Sequence, residues 1–147
     1  MKKRVLFICS GNYYRSRYAE IYFNYLAQHR NILWEALSCG TEVFKYQNIG
    51  PISADTIRAL EDIEVMQCDL NRFPSQIDEQ ILETADLIIA LKKAEHQAPL
   101  VRDFPHYEKK VIYWHVHDLD AATCEQAFAE IKILVENLLD SVQNPDV

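Results

Sequence analysis

The sequence predicts an α/β fold in which a four-stranded parallel sheet carries helices on both faces, giving three layers. Two apolar runs, residues 4–9 and 86–91, are typical of strands that are covered on both sides. Between and after them, segments with apolar residues at helical spacing alternate with shorter strand-like segments. Because strands that alternate with helices are joined by right-handed crossovers, we expect the strands to be parallel.

Four segments have the composition of strands. The first, 4–9, is a continuous apolar run that leads directly into a loop containing Gly and Asn. The second is 33–38, which we expect Gly40 to end, the third is 86–91, and a short fourth is 111–114. Since the longer runs are apolar after their first residues, Arg4 and Asp86, the sheet is expected to be buried on both faces.

Helices are predicted between these strands and after the last one. Residues 15–28 have apolar side chains at helical spacing. A helix over 53–61 can be capped by Ser53, whose hydroxyl accepts an early backbone N–H. Residues 92–100 look helical until the first of two prolines, Pro99, interrupts the pattern. The last helix has the clearest apolar stripe: Cys124, Ala127, Phe128, Ile131, Leu134, Val135, Leu138 and Val142.

Length and composition predict a single domain over residues 1–147, with a turn at 48–51 and a frayed end at 143–147. The net charge of −7 disfavours general nucleic-acid binding. No apolar run is long enough for a membrane span or a signal peptide. The four cysteines are far apart and form no Cys-x-x-Cys pair, so we expect a cytoplasmic protein with reduced thiols. The oligomeric state is left open.

The loop after the first predicted strand joins a thiol to a guanidinium. Cys9 ends that strand, and five residues separate it from Arg15. Successive backbone N–H groups and the N-terminus of the next helix favour negative charge at this point, and so favour the thiolate. The guanidinium of Arg15 can donate two parallel hydrogen bonds to two phosphate oxygens. The spacing therefore predicts that Cys9 attacks a phosphate monoester. The residues expected to bind the phosphate are Ser10, Gly11, Asn12, Tyr13, Tyr14 and Ser16.

A thiolate that displaces an alkoxide or a phenoxide needs an acid for the leaving oxygen. Asp118 is our candidate, because it follows the fourth predicted strand and so lies at the same sheet edge as Cys9. The same group would act as base on the water that hydrolyses the cysteinyl phosphate. Asp120, two residues further along, is the alternative acid.

Other chemistry-bearing residues have simpler interpretations. His115 and His117 alternate along a strand, as metal ligands can, but no further ligand cluster accompanies them. We therefore predict neither a metal nor another cofactor. The remaining cysteines are most simply buried small apolar residues: Cys39, Cys68 and Cys124. Three tyrosines near the loop either form a wall of the substrate site or pack as ordinary rings: Tyr13, Tyr14 and Tyr18.

These residues resemble the low-molecular-weight protein tyrosine phosphatases, whose superfamily also includes thioredoxin-linked arsenate reductases. The likeness extends over nearly the whole chain. The segments that stand where the family has its motifs are 9–16, 18–20, 38–41 and 85–89. Trp114, followed four residues later by Asp118, is similar to the segment that carries the family's general acid.

The resemblance implies a four-stranded parallel sheet and metal-free hydrolysis through a phosphocysteine. The implied substrate is phosphotyrosine in a phosphorylated protein, or another small aryl phosphate. By the same resemblance, Cys9 is the nucleophile and Arg15 the phosphate clamp. Asn12, Ser16 and Ser38 would belong to the hydrogen-bond network that holds the loop and the thiolate.

The chain departs from the family pattern at several positions. Leu119 stands where the family usually has Pro after the catalytic Asp, Tyr14 replaces a second loop cysteine, and Arg17 replaces another Pro. Near Cys68 the family often has a histidine in its loop network, and this sequence has none there. Two other functions stay open. One is an arsenate reductase, which needs resolving thiols, and the other is a phosphate-binding regulatory protein without turnover.

Overall fold

A computed structural model of the chain describes residues 2–65, 70–116 and 124–143. Within these residues, a sheet is formed by four parallel strands: β1 (Lys3–Cys9), β2 (Trp34–Gly40), β3 (Leu87–Ala90) and β4 (Val111–Tyr113). Their order in the sheet is β2-β1-β3-β4. The predicted α/β class and four-stranded parallel sheet are confirmed.

The strand register brings the carboxyl ends of the strands to one edge. Cys9 pairs with Gly40 of β2, and one residue earlier Ile8 pairs with Ala90 of β3. Ala90 in turn pairs with Tyr113 of β4. Because β1 lies between two neighbours, Cys9 ends in the middle of this edge, where parallel α/β sheets place their ligand sites.

The described helices are α1 (Arg15–His29), α2 (Ala54–Asp62), α3 (Glu79–Thr84), α4 (Lys93–Asp103) and α5 (Cys124–Gln143). Side chains alternate along β1, so that Phe7 joins a core with α1, α2 and α5, whereas Ile8 joins a second core with Leu82 of α3 and Leu100 of α4. Helices therefore cover both faces, as predicted. None of the described helices is long and apolar enough to cross a membrane.

Pro99 lies inside α4, which continues to Asp103, so the prediction that Pro99 breaks the helical pattern and that the helix stops at Leu100 is wrong. A proline in a helix interior lacks the N–H for one backbone hydrogen bond and costs about 3 kcal/mol. Pro99 and Leu100 are both buried, and Leu100 belongs to the core beneath the sheet. Burying a leucine contributes about 1.5–3 kcal/mol. Packing of this helix face therefore offsets the local cost.

Three short helices were not anticipated from the sequence. One is α3, which Asp78 caps by accepting a hydrogen bond from the Ile81 N–H at 2.8 Å. The others are 3-10 helices at Val43–Lys45 and Pro105–Lys110. Each is too short to show helical periodicity in the sequence. By contrast, the predicted cap at Ser53 is confirmed, because its Oγ accepts from the backbone of Asp55 at 3.1 Å.

Gly40 allows the chain after β2 to approach the loop after β1. A Cβ atom at this position would lie 2.5 Å from the Ser10 carbonyl oxygen and 2.7 Å from a methyl carbon of Val43. The close approach lets the Thr41 N–H donate to the Cys9 carbonyl at 2.9 Å. The end of β2 thus supports the loop directly, and only glycine fits there.

Candidate active site

The loop of residues 9–15, called here the Cys9 loop, closes around the sulfur of Cys9. The Asn12 backbone N–H donates to Sγ at 3.2 Å, and the Ser16 Oγ lies 2.8 Å from the same sulfur. Cys9 is only 3% exposed. Since Ser16 belongs to the first turn of α1, the partly positive end of that helix lies against the sulfur. Backbone N–H groups and a helix N-terminus together form a site suited to an anion.

Asn12 connects this sulfur site to β2. Its φ of 54° is in the left-handed region, which asparagine adopts more readily than most residues. Its side-chain Nδ2 donates to Ser16 Oγ at 2.8 Å and to Ser38 Oγ at 2.9 Å. Because Ser16 Oγ already accepts this hydrogen bond, its own hydrogen is available to the Cys9 sulfur. The structure therefore brings together the network residues that the resemblance implies.

Arg72 completes the network from a distant part of the chain. Its Nη1 donates to Asn12 Oδ1 at 3.2 Å, and its Nη2 donates to Ser38 Oγ and to Glu20 Oε1, both at 2.9 Å. Ser38 donates its own hydrogen to Glu20. The sequence lacks the family's histidine in this network, and Arg72 was not predicted to belong to it. The planar guanidinium can fill this role because it donates in several directions at once.

Replacing Arg72 by methionine should lower kcat/KM by roughly 10-fold to 100-fold, because a small displacement of catalytic groups costs about that much. Without Arg72, the Asn12 side chain loses a donor that holds its left-handed backbone in place. Steady-state hydrolysis of p-nitrophenyl phosphate measures the effect. Arg30→Met is the control, since Arg30 follows the end of α1 that is remote from the loop and pairs with Asp140 at 2.7 Å. An Arg72→Met protein that is folded and fully active would contradict this role.

Arg15 extends from the end of the Cys9 loop to Glu95 on α4. Its Nη1 lies 3.1 Å from Glu95 Oε2, and its Nη2 lies 3.2 Å from Glu95 Oε1. Arg15 is 8% exposed, so this ion pair is shielded on the arginine side. Ser10 Oγ is 3.5 Å from Glu95 Oε1, at the limit of a hydrogen bond. Glu95 was not identified from the sequence.

His96 supports the Cys9 loop from the same turn of α4. Its Nδ1 accepts the Lys92 backbone N–H at 3.0 Å, so in the neutral ring the hydrogen is on Nε2. Nε2 then donates to Ser10 Oγ, which lies 3.2 Å away. Burial, and next the positive charge of Arg15, lower the pKa of His96 to about 4. His96 is therefore neutral near pH 7 and is a donor to the loop.

This pKa predicts a loss of stability in mild acid. The unfolded chain binds a proton on His96 near pH 6.5, whereas the folded protein does so only near pH 4. Between these values the unfolded state binds more protons, so the unfolding free energy falls as pH decreases, by up to about 3 kcal/mol. Urea unfolding at several pH values measures this change in the unfolding free energy. The stability difference between the wild type and His96→Asn should shrink by that amount from pH 7 to pH 4.

The matched control for His96 is His29→Asn, because His29 is exposed on α1. Its stability difference from the wild type, measured over the same pH range, is the reference for the His96→Asn difference. A His96→Asn difference that stays constant from pH 7 to pH 4 would show that His96 is not the group responsible.

The aromatic residues near the loop have different roles. Tyr18 is 2% exposed and stacks on Phe128 at 4.8 Å between ring centroids, so it belongs to the core. Tyr13 is also buried, and its hydroxyl donates to the Ile49 carbonyl at 2.5 Å. Tyr46, which was not predicted to lie at the site, packs its ring against Gly11. A Cβ atom added at Gly11 would lie 3.2 Å from that ring. Because Tyr46 is 48% exposed, its ring faces solvent beside the loop, and Tyr14 within the loop is half-buried.

Several predicted residues have other outcomes. Asp118, Asp120, His117 and Cys68 lie outside the described residues. His115 forms an isolated bridge with Lys92, and no cluster of three metal-ligating side chains occurs among the residues that the structure describes. Cys39 is fully buried, which raises the pKa of its thiol well above the usual range. Cys124 is half-buried at the start of α5.

Comparisons with known proteins agree with this fold. The model of the family described as low molecular weight phosphotyrosine protein phosphatase matches residues 4–145. A protein-arginine-phosphatase of Bacillus subtilis (strain 168) is 30% identical over 107 residues, which cover 73% of this chain and 67% of that relative. An arsenate reductase of Staphylococcus xylosus is 28% identical over 144 residues, which cover 92% and 95%.

Two solved structures share the whole architecture. YfkJ from Bacillus subtilis superposes with a TM-score of 0.84 at 26% identity, over 100% of this chain and 98% of that one. A low molecular weight protein tyrosine phosphatase from T. tengcongensis superposes with a TM-score of 0.79, also at 26% identity, over 95% and 99%. The agreement therefore covers the sheet, the helices and the Cys9 loop together.

Proposed function

The chain belongs to the low molecular weight phosphotyrosine protein phosphatase family, and from that premise we propose that it hydrolyses phosphotyrosine or another aryl phosphate through a phosphocysteine intermediate. One observation carries the proposal. The Cys9 sulfur accepts the Asn12 N–H at the carboxyl edge of the sheet, beside the first turn of α1. The loop N–H groups and the positive end of α1 would also favour an anionic phosphate within reach of that sulfur.

In the first step, the Cys9 thiolate attacks phosphorus. The S–P bond forms as the P–O bond to the leaving group breaks, and the electron pair leaves on the ester oxygen. Asp118 supplies the proton that this oxygen needs. As charge spreads over the equatorial oxygens of the phosphoryl group, the loop N–H groups and the N-terminus of α1 stabilise it, and the guanidinium of Arg15 adds its positive charge.

In the second step, water attacks the phosphocysteine. Asp118, now ionised, accepts a proton from the water as the new O–P bond forms and the S–P bond breaks. The Cys9 thiolate leaves, and the Ser16 hydroxyl stabilises it by donating across the 2.8 Å contact. The chemistry needs no metal, since the cations and dipoles belong to the protein.

The position of Tyr46 favours a substrate with an aromatic group. Its half-exposed ring lies on Gly11, so an aryl group attached to a phosphate in the loop would have an apolar wall beside it. The related protein-arginine-phosphatase motivates phosphoarginine as the second candidate substrate. The related arsenate reductase motivates a third activity, and a catalytically weak protein that binds phosphate for regulation is a fourth.

A panel of matched peptides distinguishes these substrates. We expect kcat/KM for a phosphotyrosine peptide to exceed that for the same peptide with phosphoarginine or phosphoserine by about tenfold or more, because contacts to the aryl group discriminate in the transition state. Phosphate release is the measurement, and Tyr46→Ala should reduce the preference. A higher kcat/KM for the phosphoarginine peptide would assign the chain to that substrate instead.

The remaining alternatives are tested alongside. Arsenite formation with thioredoxin, thioredoxin reductase and NADPH would support the reductase. Tight binding of the phosphotyrosine peptide by the wild type without measurable phosphate release would support the regulatory protein. We expect neither result.

A further inference from the structure

The guanidinium that is positioned to clamp phosphate already has an internal anion. Both terminal nitrogens of Arg15 contact the two carboxylate oxygens of Glu95, at 3.1 and 3.2 Å. This paired geometry is the one by which arginine also binds two oxygens of a phosphate. A carboxylate thus occupies the arginine in the same manner as the substrate would.

The local structure places Glu95 close to the phosphate site. Glu95 is in the first turn of α4, where an acidic side chain is favoured by the helix dipole. Its Oε1 is also 3.5 Å from Ser10 Oγ, which belongs to the Cys9 loop. The arginine side chain is 10% exposed and the glutamate side chain 30%, so solvent screens this charge less than that of a surface pair.

We propose that Glu95 competes with the substrate phosphate for Arg15 and so determines how tightly the site holds phosphate. The inference rests on the proposed function, because it assumes that phosphate binds within the Cys9 loop. A phosphate that binds there must share Arg15 with the carboxylate or displace it. In both arrangements two like charges lie near one guanidinium, and their repulsion weakens phosphate binding. Weak retention would also favour release of the product phosphate.

The test compares phosphate binding to the wild type and to Glu95→Gln. Glutamine removes the charge but retains an oxygen that can accept a hydrogen bond from Arg15, which limits the loss of orientation. We expect inorganic phosphate to bind Glu95→Gln roughly threefold to tenfold more tightly by calorimetry, as removal of one charge a few ångströms away predicts at an intermediate dielectric constant. KM for p-nitrophenyl phosphate should fall in parallel.

Two further variants serve as controls. Glu79→Gln also removes an acidic residue from the first turn of a helix, α3, and should leave phosphate affinity unchanged. Glu95→Asp keeps the charge but shortens the side chain, so its phosphate affinity should lie between those of the wild type and Glu95→Gln. Equal or weaker phosphate binding by Glu95→Gln would overturn the proposal, since Glu95 would then only orient Arg15.

Failure of the proposed function gives a different result. Calorimetry does not require turnover, so the comparison of Glu95→Gln with the wild type holds even if neither hydrolyses an aryl phosphate. Phosphate binding without hydrolysis would therefore refute the proposed catalysis alone. Absence of phosphate binding by both proteins would overturn both proposals.

Discussion

Cys9→Ser is expected to lose hydrolysis of p-nitrophenyl phosphate by a factor on the order of 10⁴ or more, because a serine hydroxyl is far less nucleophilic than a thiolate. The wild type should be active with a chelator present, since the mechanism uses no metal. Oxygen is smaller than sulfur and keeps the contacts to the Asn12 N–H and Ser16, so the variant should fold. Initial rates with and without EDTA measure both effects.

Cys124→Ser is the matched control, because Cys124 is a half-buried thiol at the start of α5, outside the Cys9 loop. Its activity should be close to that of the wild type. Intact-mass measurement after rapid acid quench should detect a phosphorylated wild-type protein during turnover. Substantial turnover by Cys9→Ser would rule out the phosphocysteine mechanism, whatever the family membership.

The part of the site that the sequence predicts best is one continuous segment of the chain, from β1 through the Cys9 loop to α1. From β1 to α1, the apolar run, the Gly and Asn of the loop and the helical spacing all lie within a few residues of Cys9, so local pattern and chemistry agree. Ser38 was expected to join this network only by resemblance, and the structure does place it within 2.9 Å of the Asn12 side chain. The catalytic roles of these residues stay proposals.

The residues that were missed are distant in sequence and lie in segments without a clear pattern. Arg72 is 60 residues from Asn12, in the irregular segment before α3, and Glu95 is 80 residues from Arg15. An arginine or a glutamate on such a segment is usually solvated, and only the tertiary fold brings it to the loop. The effect of Pro99 was predicted wrongly for a related reason. The energetic cost of a proline within a helix can be inferred from the sequence, whereas the packing of α4 that offsets it cannot.

Arg72 also changes the interpretation of one departure from the family. The histidine expected near Cys68 is absent, but the structure supplies a donor to Asn12 from four residues further along, at Arg72. An arginine remains charged at every accessible pH, whereas a histidine titrates near neutrality. The loop network of this chain should therefore keep its donor across the pH range in which a histidine would gain or lose a proton.

Asp118→Asn is expected to slow the hydrolysis of substrates with poor leaving groups much more than that of substrates with good leaving groups. A general acid contributes about 10²-fold to 10⁴-fold when the leaving oxygen is strongly basic, and little when that oxygen leaves easily as an anion. We therefore expect kcat/KM for phenyl phosphate to fall far more than that for p-nitrophenyl phosphate. A series of substituted phenyl phosphates measures this as a steeper dependence of log kcat/KM on the pKa of the leaving phenol.

Asp120→Asn is the control for this experiment, because the two acids are only two residues apart in a segment that lacks the family's Pro and has Leu119 in its place. The ratio kcat/KM is the informative quantity, since it reports the step that forms phosphocysteine even when its hydrolysis limits kcat. If Asp118→Asn lowers kcat/KM equally for all leaving groups while Asp120→Asn steepens the dependence, the acid is Asp120. If neither variant steepens the dependence, the leaving oxygen takes its proton from another source, and neither aspartate is the general acid in this chain.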